Sequence, residues 1–442
     1  MGSEREDIPP VAIIGGGLGG VILALGLLRR GIPIHIYQSG SAFAEIGAGV
    51  TIGPNAVRAL SLNSPDLLEA FNKHVTVNAN APSSFLAFRR GIPLSSPHSS
   101  SPLEDNDGDE KNNLLFDLTN DESAPNWTSS PARMAVHRAN FLDEVVKFIP
   151  MDSVSFNKSL VAISDSDSDS SSTVKLSFAD GTTATHSLVI GCDGVRSAAR
   201  RYVHGDDAIP TFAGEYAYRA LLPADEFQAE VGFDRAMNGQ LYIGPGGTIT
   251  TYPVEKGRSI NMIGIRRVVE NPEEWPHASW LVPSTVEEVK GDFAGWDEKL
   301  VGMMVKYSTL NKWALFHYIH DRPYFRGRVC LLGDSAHATT PNLGAGAGQA
   351  MEDAYVLAAL LGERPPRGGE DVEKVFAAYD AVRRPRSQKV VRLSSLSGRT
   401  YTFQQEDVGS DFEKMRGEMA ERLRWLLDED LEAHFEKAKA ML

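Results

Sequence analysis

The run VAIIGGGLGG at residues 11–20 constrains the fold of this chain more than any other stretch. Val11 to Ile14 are apolar and partly β-branched, as a short strand buried on both faces requires. Gly15, Gly17 and Gly20 then fit G-x-G-x-x-G, and the apolar VILALGLLRRG that follows predicts a helix stopped at Gly31. Ile34 to Tyr37 predict a second strand, which completes the β-α-β context that gives the motif meaning. Gly15 lets the chain turn tightly out of the strand. Gly17 removes a side chain so that a pyrophosphate can approach the backbone, and Gly20 lets helix and strand pack closely. The free N–H groups at the positive end of the helix then face the phosphates. The glycines therefore make room for a dinucleotide. Gln38 stands where an acid usually binds the ribose hydroxyls. Its amide can still hydrogen-bond a hydroxyl, without the charge assistance a carboxylate gives. This motif alone leaves FAD and NAD open.

Two later stretches bear on that choice. LVIGCDGVRSAARR (188–201) and VCLLGDSAHATTPNLGAGAGQAMEDA (329–354) each begin as a buried apolar strand and break into a Gly/Asp turn. Asp334 follows a strand and a glycine, placed to offer a carboxylate to a polyol. GAGAGQAMEDAYVLAALL predicts a helix with little side chain at its N-terminus, an end that stabilises negative charge on a bound ring.

Together the three motifs resemble those of the FAD-dependent aromatic hydroxylases, the single-component flavoprotein monooxygenases. The salicylate-hydroxylase-like branch is the nearest, through EIGAGVTIGPNA (45–56), HRANF (137–141), YRALLP (218–223) and YDAVRRPR (379–386). EEWPHASW (273–280) and DFAGWD (292–297) add to it, and fungal phenol-dearomatising hydroxylases of polyketide pathways look similar. The resemblance implies an α/β fold: a Rossmann-like FAD-binding domain of the p-hydroxybenzoate hydroxylase kind, an interleaved mixed-sheet substrate domain and a helical C-terminal tail. The expected boundaries are 8–80, 130–205 and 320–365 for the flavin domain, 81–129 and 206–319 for the substrate domain, and 366–442 for the tail.

The same resemblance assigns roles. Gly15, Gly17 and Gly20 would carry the ADP part of FAD, and Gln38 would meet its ribose. Arg138 would lie along the diphosphate and ribityl region, and Asp334 would bind the ribityl chain. Gly346 and Ala347 would face the pyrimidine end of the flavin, and Asp193 belongs to a motif shared between FAD and the nicotinamide cofactor. NADPH or NADH would visit transiently, since no second strand–G-x-G-x-x-G–helix unit occurs. The family reaction proceeds through a flavin C4a-hydroperoxide, which O₂ forms on reduced flavin and an electron-rich phenol attacks. Arg219 and Tyr252 would hold that phenol as its phenolate; a salt bridge for Arg219 and simple core packing for Tyr252 are the structural alternatives. Asn342 replaces a histidine common after Pro341 in salicylate hydroxylases, which argues against salicylate itself.

Composition bounds the rest. A net charge of −14 argues against a nucleic-acid surface. The two cysteines, Cys192 and Cys330, give no disulfide framework and read as buried thiols. MGSEREDIPP has no apolar leader core, and no apolar run reaches about 18 residues, so a cytoplasmic protein without a membrane span is expected. His337 lacks the partners that a metal site needs, and no metal is expected. LSSPHSSSPLEDNDGDEKNN (94–113) and SDSDSDSSS (164–172) read as polar surface loops. The helix-forming tail would close the molecule or join a homodimer. An alkene epoxidase and a noncatalytic flavin-binding module stay open beside the phenol hydroxylase.

Overall fold

Val11–Ile14 forms the centre of a six-stranded sheet in a computed structural model that describes residues 10–43, 49–80, 85–92, 113–118, 133–165, 173–268, 274–365 and 369–442. The sheet runs, in spatial order, Phe325–Arg326, Val329–Leu331, Val189–Gly191, Val11–Ile14, Ile34–Tyr37 and Val154–Ser155. All its pairings are parallel except the first. Both faces are covered, which is why the three motif strands read as unbroken apolar runs. Helices Leu18–Arg29 and Gly346–Glu363 pack against each other beside it. The first turns back at Gly31, which has φ of +72°.

The second sheet has eight strands: Leu281–Pro283, Asn311–His317, Thr211–Pro223, Ser259–Arg267, Gly247–Val254, Gln240–Gly244, Leu86–Arg90 and Leu114–Leu118. Only Leu86–Arg90 and Gln240–Gly244 pair in parallel. Side chains alternate between the faces of a strand, and here that sorts the sheet cleanly. Tyr218, Leu222, Ile249, Ile260 and Met262 point to one face and form a core with Phe227, Phe293 and Met304. Arg219, Leu241, Thr248, Thr250, Tyr252, Ile263 and Ile265 point to the other face, which is not packed solid but lines a cavity.

Strands Leu160–Asp165, Val174–Phe178 and Thr183–His186 make a small antiparallel sheet. Gly49–Ile52, Met134–His137 and Thr76–Val77 make another. The tail is helical as expected, in Gly369–Tyr401, Phe412–Leu427 and Leu431–Lys439. Its apolar faces pack on the edge of the large sheet through Tyr401, Met415, Met419, Leu423 and Leu427. Of the low-complexity stretches, 94–112 and 166–172 lie outside the described residues, as do 45–48 of the EIGAG segment. Within the described residues no helix is long and apolar enough to cross a membrane.

Candidate active site

A cavity of about 720 Å³ lies between the two sheets. It is roofed at one end by the glycine turn and at the other by the tail residues Tyr401 and Leu423.

The cofactor end is built almost entirely from backbone. Gly15 has φ of +104°, and a Cβ there would stand 2.4 Å from the carbonyl oxygen of Cys192. A Cβ on Gly20 would stand 2.0 Å from the Gly15 oxygen, so this glycine packs helix on strand and does not line the cavity. The helix Leu18–Arg29 starts at Gly17 with no side-chain cap and no acid in its first turn. The helix Gly346–Glu363 starts in the same way at Ala345. Both leave N–H groups without a side-chain partner, and both N-termini open on this one cavity through Gly17, Gly346 and Ala347. Two uncapped positive helix ends facing one space form a site for a ligand that carries negative charge at two separated places.

The side chains named from sequence are distributed around that space. Gln38 Oε1 accepts a hydrogen bond from Gly16 N at 2.9 Å, which fixes the glycine turn and leaves Nε2 to meet a hydroxyl. Asp334 is exposed to the cavity, and its carboxylate has no hydrogen-bond partner among the described residues. Arg138 opens the helix Arg138–Val145 and lines the cavity near Arg219. Asp193 also lines it, but its carboxylate accepts from Ser197 Oγ and from the N–H groups of Ala198 (2.7 Å) and Ala199 (3.0 Å). It therefore caps the helix Ala198–His204. Burial pushes its pKa up, against those bonds. Cys330 is buried, whereas Cys192 is only partly buried and lines the cavity; desolvation raises the pKa of both thiols well above the usual value, so both stay protonated.

Sequence reasoning missed the support behind this turn. Asp353, wholly buried, accepts from Gly333 N at 3.1 Å, His337 Nε2 at 2.5 Å and Arg383 Nε at 2.7 Å. Its neighbour Glu352 binds Arg383 Nη1 at 2.6 Å and Arg386 Nε at 2.7 Å. Burial opposes ionisation of Glu352, but Arg383 and Arg386 outweigh it and hold the pKa at about 2. Asp353 is likewise held low against burial by His337 and Arg383. The turn at Gly333, which presents Asp334, is thus fixed by a buried ionic cluster that ties helix Gly346–Glu363 to helix Gly369–Tyr401. His337 belongs to that cluster. Among the described residues no group of acids, histidines and cysteines could hold a metal.

The sheet end is apolar with a few cations. Arg219 pairs in register with Ile263, which pairs with Thr250, which pairs with Leu241, so the four form one cross-strand row on the cavity floor. The Arg219 guanidinium lies 4.7 Å from the Trp313 ring, and its Nε is buried without a hydrogen-bond partner. Burial, then the nearby Arg138, lowers its pKa. Tyr252 donates its hydroxyl proton to Gly49 O at 2.9 Å. Burial raises its pKa despite nearby Arg133 and Arg219, so it stays a neutral hydroxyl. Asn342 Nδ2 donates to Glu215 Oε2 at 3.0 Å, and its carbonyl accepts from Tyr401 Oη at 3.2 Å. Asn342 therefore ties the segment after Pro341 to the sheet and to the tail. Arg133, also overlooked in the sequence, lines this end of the cavity with Thr51, Tyr252 and Tyr401.

A family profile described as "FAD binding domain" matches residues 9–394. The chain is 37% identical to the 6-methylsalicylate 1-monooxygenase of Aspergillus terreus over 96% of this chain and 90% of that protein. It is 34% identical to a salicylate hydroxylase of Pseudomonas putida, over 97% and 94% of the two chains. A solved structure described as a salicylate hydroxylase substrate complex superposes with a TM-score of 0.79 at 29% identity, covering 97% of this chain and 98% of that one.

Proposed function

Since the chain belongs to the FAD-dependent monooxygenases of the salicylate hydroxylase and fungal monooxygenase family, we propose that it hydroxylates a phenolic small molecule bound on the Arg219 face of the large sheet. The cofactor is FAD, and the lining fits it: glycines where a Cβ would collide, two uncapped helix ends, and the carboxylate of Asp334 facing the space. Bound FAD, reduced by NADPH or NADH, supplies activated dioxygen.

The remaining steps belong to the protein. Gly17, Gly346, Ala347, Gln38, Arg138 and Asp334 hold the cofactor along the cavity, and Asp193 shapes its second turn. Arg219 favours the ionised form of the phenol, because a nearby cation lowers the pKa of an acid. The phenolate carries more electron density onto its ring and attacks oxygen faster. Tyr252 orients the same oxygen once its hydroxyl turns from Gly49. Leu241, Ile263 and Ile265 line the space with apolar surface, and Tyr401 and Leu423 close it against water. In this reading 8–80, 130–205 and 320–365 serve the flavin, while 81–129 and 206–319 serve the substrate. Where the oxygenated carbon already bears an alkyl group, rearomatisation is blocked and a dearomatised dienone results. Such a dienone would belong to fungal secondary metabolism.

The observation that carries the proposal is Arg219: a cation on an apolar wall, with its buried Nε unpartnered, in the cavity that the cofactor must share. The test incubates the flavin-loaded protein with NADH or NADPH and a panel of phenolic acids, aldehydes and ketones. A product one oxygen heavier supports the reading. Reductant consumption that yields only hydrogen peroxide across the panel contradicts it. An alkene epoxidised equally well by wild type and Arg219→Met would favour epoxidation.

A further inference from the structure

We infer that Arg133 is a second anion anchor of the substrate site, and that it selects phenols carrying a carboxylate over neutral phenols. The inference rests on the phenol-hydroxylase reading above and deepens it.

Arg133 is 8% exposed and lines the cavity. Its Nη2 donates to Thr51 Oγ1 at 3.1 Å, and its guanidinium carbon stands 4.7 Å from the centre of the Tyr252 ring. Its Nε is buried without a hydrogen-bond partner. The position is built for this side chain: a Cβ on Gly239 would stand 2.7 Å from Arg133 Cδ, so only glycine leaves it room. The titratable groups acting on Arg133 are Tyr252 and Tyr401, and those acting on Arg219 are Arg138 and Tyr252. No carboxylate of the described residues is among them.

A guanidinium stays protonated even when desolvated, and a buried charge without a counter-ion is unfavourable. Arg133 and Arg219 both border Tyr252, on the sheet side of the cavity. A simple phenolate neutralises only one of them. A phenol that also bears a carboxylate neutralises both, and a guanidinium fork matches a carboxylate in a two-bond geometry. The apolar side chains of Leu241 and Ile263, which line the same cavity, then take the ring.

The experiment compares matched ligands: a hydroxybenzoic acid, its methyl ester and the corresponding hydroxybenzaldehyde. Dissociation constants are read from the change in bound-flavin absorbance in wild type, Arg133→Met and Arg133→Lys. Flavin content and melting temperature are measured on each protein. Wild type is expected to bind the acid at least about tenfold more tightly than the ester or aldehyde. Arg133→Met should erase that preference with flavin content unchanged, and Arg133→Lys should restore part of it. If Arg133→Met does not fold, the wild-type preference and its partial reduction in Arg133→Lys decide the matter. No preference for the acid in wild type overturns the inference, as does an equal weakening of all three ligands in Arg133→Met. Both results leave the hydroxylase reading standing if the ligands bind and turn over. Failure of any phenol to bind or be hydroxylated overturns that reading, and this one with it.

Discussion

At the scale of single residues, the site divides into positions whose role is local and positions whose role depends on distant chain. Gly15 is local. Its φ of +104° and the Cys192 oxygen at 2.4 Å from a would-be Cβ both follow from a turn that the glycine spacing announces. Gly15→Ala is expected to cost about 2 kcal/mol or more, read as a lower melting temperature and a lower flavin-to-protein ratio. Arg219 is less local, because its value depends on which strand face meets the cavity. Arg219→Met should lower kcat/KM for a phenol by about 10- to 100-fold, the worth of a hydrogen bond to a charged group, with flavin retained. Unchanged kcat/KM would remove Arg219 from the site. Arg133 was not legible at all. Its partner Thr51 lies 82 residues away, and nothing in the local spacing around Arg133 marks it as facing a cavity.

At the scale of elements, the strand–glycine–helix units were legible because each is a short-range pattern. Ile34–Tyr37 and Val11–Ile14 form strands with the limits their apolar runs give. The cluster of Glu352 and Asp353 with Arg383 was not legible, since two helices must dock before those charges meet. Yet this cluster holds the Gly333 turn that presents Asp334. Breaking a buried pair by removing one partner costs about 3–5 kcal/mol. Arg383→Met should therefore lower both stability and flavin affinity, as measured by denaturant unfolding and flavin titration. The pH dependence has a definite sign. The Glu352 pKa is depressed by folding from an ordinary 4.5 to about 2. Its contribution is thus complete above pH 4.5 and is lost as the pH falls toward 2. Glu352→Gln should be less stable than wild type at neutral pH, and the gap should narrow steadily through that acid window. A gap independent of pH would mean that Glu352 is not ionised in the folded protein.

At the scale of the whole molecule, the cavity exists because one sheet supplies cofactor turns and the other an apolar face with cations, while the tail covers the join. The helical character of the tail followed from its residue types. Its place over the cavity did not, because Leu423 meets residues far back in the chain. Leu423→Ala should admit water at the substrate end. The expected result is a several-fold rise in the hydrogen peroxide released per reductant consumed, with phenol hydroxylation reduced and flavin still bound. Undiminished coupling would show that the tail does not seal the site.

The proposed reaction requires that oxygen pass from dioxygen to a phenol held in this cavity. The direct test supplies the flavin-loaded protein with reductant, a hydroxybenzoic acid and dioxygen labelled with heavy oxygen, then weighs the product. One labelled oxygen atom in the product, absent when only the water is labelled, is the predicted result. Peroxide alone, or an oxygen that comes from water, would contradict it.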